Sequence, residues 1–195
     1  MKNIAMTALV VLALISCKDD KKEMLTQENA ETTNVVVSDA TSTSTMKKIS
    51  VQLDARSAST ARGTAYLSEK DGTVVFEAKI TGLDPGMHAI HLHEKADCSS
   101  ADGKSSGGHW NPTFQAHGKW GAAEGYHKGD IGNFEVNENG IGSIRMLTDE
   151  WCIGCGDAEK DILGKAIVVH QGEDDFKSQP SGAAGSRVSC GGIIK

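Results

Sequence analysis

Gly63-Thr-Ala-Tyr-Leu-Ser-Glu-Lys-Asp-Gly-Thr-Val-Val-Phe-Glu-Ala-Lys-Ile80 is the stretch that decides the fold class of this chain. Two apolar-rich runs, each of strand length, stand on either side of the dipeptide Asp71-Gly72. Asp-Gly between two such runs is a strong signal for a tight hairpin turn. The stretch therefore predicts two antiparallel strands joined by that turn.

Similar signals continue in both directions along the chain. Ile49 to Leu53 alternates apolar and polar residues, which is typical of a half-buried strand. Asn139-Gly140 is a second tight-turn signal, and no long stretch has helical periodicity. About eight strands are expected, over Ile49–Leu53, Gly63–Leu67, Thr73–Ile80, His88–His93, Ile131–Val136, Ile141–Leu147, Lys165–His170 and Ser186–Ile193. We predict an all-β antiparallel domain, a sandwich or flattened barrel, over residues 47–195.

Two predicted connections are much longer than hairpin turns. They run from Glu94 to Gly129 and from Gln171 to Gly185, and they are rich in Gly, Ser and charged residues. Long loops without secondary structure are uncommon in compact domains unless they are functional. A bound metal could supply the order that a hydrophobic core does not provide there.

Six of the seven histidines and one aspartate form a single pattern. Its members are His91, His93, His109, His117, His127, Asp130 and His170. Imidazole is the commonest protein ligand for zinc and copper. His91 and His93 project from the same face of a strand, so they could share a metal or be two polar face positions. His88 has the opposite parity, which favours a hydrogen-bonded structural role.

The pattern divides into two ligand sets by chemistry. His109, His117, His127 and Asp130 offer three imidazoles and a carboxylate, a suitable set for Zn²⁺. His91, His93 and His170 offer three nitrogens for a second ion, and one histidine shared through both ring nitrogens would complete it. A set without thiolate or thioether suits Cu(II), whereas blue-copper electron carriers need a Cys ligand.

The N-terminal residues are predicted to be a targeting signal. Met1-Lys2-Asn3 is a short basic start, Ile4 to Ile15 is apolar, and Leu14-Ile15-Ser16-Cys17 is similar to a bacterial lipobox. An apolar run of this length is too short for a permanent span but suits a secretory signal. We expect a lipoprotein signal peptide over residues 1–16 and lipidation of Cys17; an ordinary signal peptide or a buried helix are the alternatives.

Residues 17–46 are predicted to be a disordered tether. They are rich in Thr, Ser, Asn and acidic residues and contain few large apolar side chains, so they cannot offset the entropy of ordering. Cys17-Lys-Asp-Asp-Lys-Lys resembles an export signal of surface lipoproteins, but it is equally a charged start to a linker. The net charge of −6 and the absence of a basic block argue against nucleic-acid binding.

A set of motifs together resembles one known family. They are His91-Leu-His93-Glu, Cys98, Gly108-His109-Trp-Asn-Pro, His117-Gly, His127-Lys-Gly-Asp130-Ile-Gly-Asn, Val169-His170 and Gly185-Ser-Arg187-Val-Ser-Cys190-Gly. From about Lys47 to the C-terminus the chain is similar to copper/zinc superoxide dismutases. The resemblance implies an eight-stranded antiparallel Greek-key barrel or sandwich, an oxidoreductase activity and copper and zinc as cofactors.

The resemblance also implies a role for each site residue. Copper would be held by His91, His93, His109 and His170, and zinc by His109, His117, His127 and Asp130. Asp174 would tie a copper ligand to a zinc ligand, and Arg187 would guide the anionic substrate superoxide to copper. His109 would bridge the metals and carry a proton during turnover. Lys177 is a further candidate for the attracting field.

The chain contains five cysteines. If Cys17 is lipidated, four remain, and this even number is consistent with two disulfides. The resemblance implies a Cys98–Cys190 disulfide. Cys152 and Cys155 depart from the family pattern; a local loop disulfide is the favoured interpretation, and a redox or copper-acquisition role is the alternative.

The expected location is the cell envelope, with the lipid anchor in an outer membrane that faces the periplasm or the cell surface. The sequence leaves a homodimer possible. A copper- and zinc-binding lipoprotein without turnover is the alternative function, which the combination of Arg187, His109 and Asp174 disfavours. A zinc hydrolase is a weaker alternative, because no general base is evident beside an open zinc position.

Overall fold

The computed structural model describes residues 45–195, and the hairpin around Asp71-Gly72 forms as predicted. Strand β2 (Arg62–Lys70) pairs with β3 (Thr73–Thr81) in antiparallel register. Asp71 and Gly72 both have positive φ, 51° and 78°. Two such residues form the kind of turn whose twist matches that of the flanking strands.

The strands close into one antiparallel barrel. The remaining strands are β1 (Lys47–Ala55), β4 (Gly86–His93), β5 (Gly132–Val136), β6 (Ile141–Thr148), β7 (Ala166–His170) and β8 (Arg187–Gly192). Their order around the barrel is β1-β2-β3-β6-β5-β4-β7-β8, and β8 pairs with β1. The steps from β3 to β6 and from β4 to β7 join strands that are not consecutive in sequence. The prediction of an eight-stranded antiparallel Greek-key fold is confirmed, and of the two predicted forms, barrel and sandwich, the structure is a closed barrel.

The predictions for residues 1–44, including the signal peptide, Cys17 and most of the tether, lie outside the described residues. In the part of the chain that is described, no helix has the length and apolarity needed to cross a membrane. One short 3₁₀ turn, Lys104–Ser106, interrupts the long connection between β4 and β5.

The barrel interior is filled by alternate residues of the strands, as the period-two pattern requires. In β3 the buried positions are Val74, Phe76, Ala78 and Ile80, with more accessible residues between them. Strand β4 departs from this pattern because it is buried on both faces from His88 to His93. Ile90 and Leu92 join the core. The intervening histidines therefore face outward, beneath the long loops.

A β-bulge sets the relation between β7 and β8. Val169 pairs with Ser189, but the next pair is His170 with Arg187, so Val188 has no partner in the ladder. Val188 turns into the core. Bulges commonly redirect a side chain at a functional site. Here the bulge places Arg187 opposite His170.

Candidate metal centre

The structure brings the predicted residues together into two adjacent groups, buried and sharing one member. Each residue offers one ligand atom, and within each group these atoms lie within 4.8 Å of one another. The first group is His91, His93, His109 and His170, and the second is His109, His117, His127 and Asp130. The division into two sets made from ligand chemistry is therefore reproduced by the geometry.

The first group is oriented by hydrogen bonds on its outward ring nitrogens. His93 Nδ1 lies 3.0 Å from the carbonyl oxygen of Gly107, and His170 Nδ1 lies 3.4 Å from that of Gly185. A carbonyl can only accept, so both Nδ1 atoms carry the proton and both Nε2 atoms present lone pairs. Those Nε2 atoms lie 3.3 Å apart. His91 presents its Nδ1 instead, because its Nε2 is bound to Asp174.

His109 belongs to both groups because its two ring nitrogens face different neighbours. Nδ1 lies 2.8 Å from Asp130 Oδ1, while Nε2 is buried and has no hydrogen-bond partner in the part of the chain that the structure describes. The His109 ring lies 4.0 Å, centroid to centroid, from that of His91. The isolated β-bridge between His93 and His109 fixes this placement by joining the first long loop to the end of β4.

Asp130 is the centre of the second group. Its Oδ1 lies 3.2 Å from His127 Nδ1 and its Oδ2 lies 3.0 Å from His117 Nδ1, but neither ring is aligned for a hydrogen bond to the carboxylate. Oδ2 instead accepts from the backbone N–H groups of His127, at 2.8 Å, and Gly118, at 3.1 Å. The carboxylate is thus fixed by backbone donors while the ring nitrogens converge beside it.

Asp174 joins the two groups from outside. Its Oδ2 lies 2.8 Å from His91 Nε2, and its Oδ1 lies 2.9 Å from His117 Nε2. Asn133, on β5, holds the backbone of Asp174 by donating to its carbonyl and accepting from its N–H, both at 2.8 Å. This is the placement that the resemblance implied for Asp174.

Burial and neighbouring charges set the protonation of the cluster. Burial lowers the pKa of His93 and His170 well below their usual range, with neighbouring histidines adding to the effect. Burial likewise lowers the pKa of His109 to about 4, although the hydrogen bond that His109 donates to Asp130 acts in the opposite direction. Burial would raise the pKa of Asp130, but the hydrogen bond that it accepts from His109 and the close approach of the His117 and His127 rings hold it well below its usual range. Burial would lower the pKa of His117, but the carboxylates of Asp130 and Asp174 raise it to about 9. His117 must therefore lose a proton to bind a metal, since neutral imidazoles and ionised carboxylates are the binding forms.

The buried atoms without partners test whether copper and zinc fit this site. Four buried ring nitrogens have no hydrogen-bond partner among the described residues: His91 Nδ1, His109 Nε2, His117 Nδ1 and His127 Nδ1. Buried polar atoms without partners are rare because each costs about 1–3 kcal/mol. Here each faces the interior of one of the two groups. The donor sets, four imidazoles in one and three imidazoles with a carboxylate in the other, fit copper and zinc.

An open cavity of about 600 Å³ leads to the first group. His93, His109, His170 and Arg187 are among its lining residues. Arg187 is held by Nη1, which donates to Gly103 O at 2.9 Å and to Ser106 Oγ at 3.1 Å. A fixed cation therefore lines the same cavity as three of the four residues of the first group.

The structure also shows where Lys177 and His88 lie relative to the cavity and the two groups. Lys177 is exposed on the second loop and does not line the cavity, whereas Lys104, which was not singled out, does. Lys104 is paired with Asp102 at 3.0 Å. His88 is outside both groups, as strand parity predicted, and its ring lies between the carbonyl oxygens of His170, at 3.0 Å, and Asp84, at 2.8 Å.

Both cysteine pairs are disulfide-bonded. The Cys98–Cys190 disulfide ties the first long loop to β8. Cys152–Cys155 is a local disulfide in the loop between β6 and β7, as favoured from the sequence.

The sequence did not predict the backbone carbonyl oxygens of Gly103, Gly107 and Gly185 as hydrogen-bond acceptors for Arg187, His93 and His170. Every residue has a backbone carbonyl, so residue type does not show which ones accept.

Comparisons with known proteins agree with this arrangement. A family model described as copper/zinc superoxide dismutase (SODC) matches residues 61–193. The copper/zinc superoxide dismutase 2 of Aquifex aeolicus is 37% identical over 136 residues, which cover 67% of this chain and 78% of that protein. The copper/zinc superoxide dismutase of Photobacterium leiognathi is 33% identical over 140 residues, which cover 67% of this chain and 78% of that protein.

A solved structure agrees as well. The crystal structure of a SOD-like protein from Bacillus subtilis matches with a TM-score of 0.66 and 31% identity, covering 74% of this chain and 97% of that one. The family model spans strands β2 to β8 of the barrel, both metal-ligand groups and both long loops. The chain therefore belongs to the copper/zinc superoxide dismutase family, whose members are oxidoreductases with copper and zinc as cofactors.

Proposed function

We propose that this protein converts two superoxide ions and two protons into dioxygen and hydrogen peroxide, at a copper site joined to a zinc site through His109. Copper would be held by His91, His93, His109 and His170, and zinc by His109, His117, His127 and Asp130, the two groups whose possible ligand atoms converge. The observation that carries this proposal is the position of His109, with Nδ1 in one group and an unpartnered Nε2 in the other.

When bound, copper would supply the one-electron redox chemistry, and His109 would be shared with the residues that hold zinc. The chain's own residues hold the ligands in one tautomer each. Gly107 O and Gly185 O keep the proton on Nδ1 of His93 and His170, so Nε2 of each ring stays available. Asp174 similarly keeps the proton on Nε2 of His91.

Arg187 is the residue that attracts and binds the substrate. Its guanidinium is partly buried at the cavity wall, and two oxygen acceptors fix one of its nitrogens, so its remaining N–H groups can bind a small anion. A cationic side chain in a cavity wall raises the local concentration of anions and speeds their association. His109 lines the same cavity, so its ring is placed to hold and deliver a proton.

The test is a superoxide-removal assay on the full chain loaded with copper and zinc. We expect activity in the parent, loss of activity in His170→Ala, and a reduced kcat/KM with weaker salt dependence in Arg187→Ala. Metal content measured alongside separates loss of copper from loss of anion binding. A fully metallated parent without activity would refute the dismutase and favour a copper- and zinc-binding protein without turnover.

The location is a separate proposal that rests on the N-terminal sequence. We infer a signal peptide over residues 1–16, lipidation of Cys17, a tether to residue 46 and a catalytic domain over residues 47–195. The enzyme would then remove superoxide at the cell envelope, as a monomer or a homodimer. Metabolic labelling with a fatty acid tests this: the label should enter the parent and be absent from Cys17→Ser.

A further inference from the structure

His127 differs from the other histidines of the cluster in how its ring is held. The rings of His91 and His117 are bound to Asp174, and those of His93 and His170 to backbone carbonyls. Within residues 45–195, the His127 ring forms no hydrogen bond to another residue, although its Nδ1 lies 3.2 Å from Asp130. The direction of this ring must therefore be set by the backbone that carries it.

That backbone is a tight turn anchored to the barrel on one side. The N–H of Asp130 donates to the carbonyl of His127 at 3.0 Å. Gly129 donates to Trp110 O and accepts from Leu92 N–H, both at 2.9 Å. A Cβ at Gly129 would lie 2.2 Å from Leu92 O, so this close approach requires glycine. These contacts fix the end of the turn away from His127.

The other side of the turn is held at Lys128 by two residues from the loop after β6. Trp151 Nε1 donates to the carbonyl oxygen of Lys128 at 2.8 Å. Glu150 forms an ion pair with Lys128 Nζ and also accepts from the hydroxyl of Tyr126 at 2.5 Å. Both neighbours of His127 in sequence are thus bound to this one loop.

Trp151 is itself rigidly placed. It is 1% exposed and packs edge-on against Phe76 in the barrel core and against Trp120. The residue after it, Cys152, exchanges backbone hydrogen bonds with Lys160 O and Ile162 N–H. Because close-packed interiors deform little, the indole of Trp151 has a fixed position, and its hydrogen bond fixes the Lys128 carbonyl.

We propose that Trp151, assisted by Glu150, is a positioning residue for zinc: by fixing the Lys128 carbonyl, it aims the ring of His127, which lacks a hydrogen-bonded partner of its own. This inference rests on the proposed function, since it takes His127 as a zinc ligand. Partners that orient metal ligands typically alter metal affinity by 10–100-fold when they are removed. The copper ligands have their own partners and are not attached to this loop.

The test compares Trp151→Phe with Trp120→Phe in the full chain loaded with both metals. Both substitutions remove an indole from the same aromatic cluster, but only Trp151 donates to Lys128. We expect Trp151→Phe to lose zinc to a competing chelator at about tenfold lower chelator concentration than the parent. Copper retention in Trp151→Phe, and zinc retention in Trp120→Phe, should stay within about twofold of the parent. Metal content is measured by mass spectrometry.

Equal zinc retention in Trp151→Phe and Trp120→Phe would overturn the inference, as would equal weakening of zinc and copper. If Trp151→Phe fails to fold, Glu150→Ala is the variant that tests the inference. Glu77→Ala is its control, because Glu77 forms an exposed ion pair with Arg145 remote from the site. Zinc retention in Glu150→Ala equal to that in Glu77→Ala would then overturn it. A parent that binds no zinc would refute the proposed function as well, whereas a zinc-binding parent with unchanged variants refutes only this inference.

Discussion

The backbone of Gly182 lies directly against the carboxylate of Asp174. A Cβ at Gly182 would come within 1.8 Å of Asp174 Oδ1 and 2.7 Å of His117 Nε2, and its φ of +65° disfavours other residues. Gly182 also accepts from the N–H of Asp175 at 2.9 Å. The second long loop therefore closes over Asp174 only with glycine at this position.

We predict that Gly182→Ala weakens zinc binding by roughly 10–100-fold, because the added methyl displaces the carboxylate that orients His117. Chelator competition on the metallated protein measures this. Gly172→Ala is the matched control in the same loop, since the nearest atom to its Cβ would be 3.6 Å away. Zinc affinity that is the same in both variants would contradict the prediction.

Ser106→Ala is predicted to reduce superoxide removal several-fold without changing copper content. The fully buried Ser106 hydroxyl is one of two acceptors that fix Arg187 Nη1, so its loss frees the guanidinium to leave the cavity wall. The kcat/KM and its salt dependence are the measurements. Ser105→Ala, in the same short turn but without a contact to Arg187, should leave both unchanged.

The two disulfides should contribute unequally to the free energy of unfolding. Chain-entropy arguments give roughly 4–5 kcal/mol for Cys98–Cys190, with a separation of 92 residues, and about 2 kcal/mol for Cys152–Cys155, with a separation of 3. Denaturant unfolding of the two Cys-to-Ser double variants, with metals chelated, tests this. A larger loss from Cys152→Ser/Cys155→Ser would show that loop closure is not the main contribution.

Asp161 should make stability depend on pH below neutrality. Burial would raise its pKa, but the backbone N–H groups of Gly156, Leu163 and Gly154 outweigh this and lower it below 3.8. Because its pKa is lower in the folded state, the Asp161 carboxylate stabilises the fold at pH values above the unfolded-state pKa of about 4. That stabilisation is lost as the pH falls through the folded-state pKa. Metal-free Asp161→Asn should therefore be about 1 kcal/mol less stable than the parent at neutral pH. A difference that does not shrink on acidification below about pH 4 would contradict this.

Much of the fold was predictable because strand signals are local. Apolar alternation and the two tight-turn dipeptides located all eight strands, since both depend on residues adjacent in sequence. Strand parity also separated His88 from His91 and His93. The closure of the barrel was not predictable in this way, because pairing of β8 with β1 joins the two ends of the domain.

The sequence by itself determined which residue types could bind metal, how they divide between two ions and which family the motifs match. Those conclusions depend on side-chain chemistry and on short spacings between residues, both of which can be read directly from the sequence. Only the tertiary structure decided how the ligands are aimed. The bulge that places Arg187 opposite His170, the Gly182 approach to Asp174 and the Trp151 contact with Lys128 join residues distant in sequence. Such contacts arise from packing and backbone hydrogen bonds, which no residue type specifies alone.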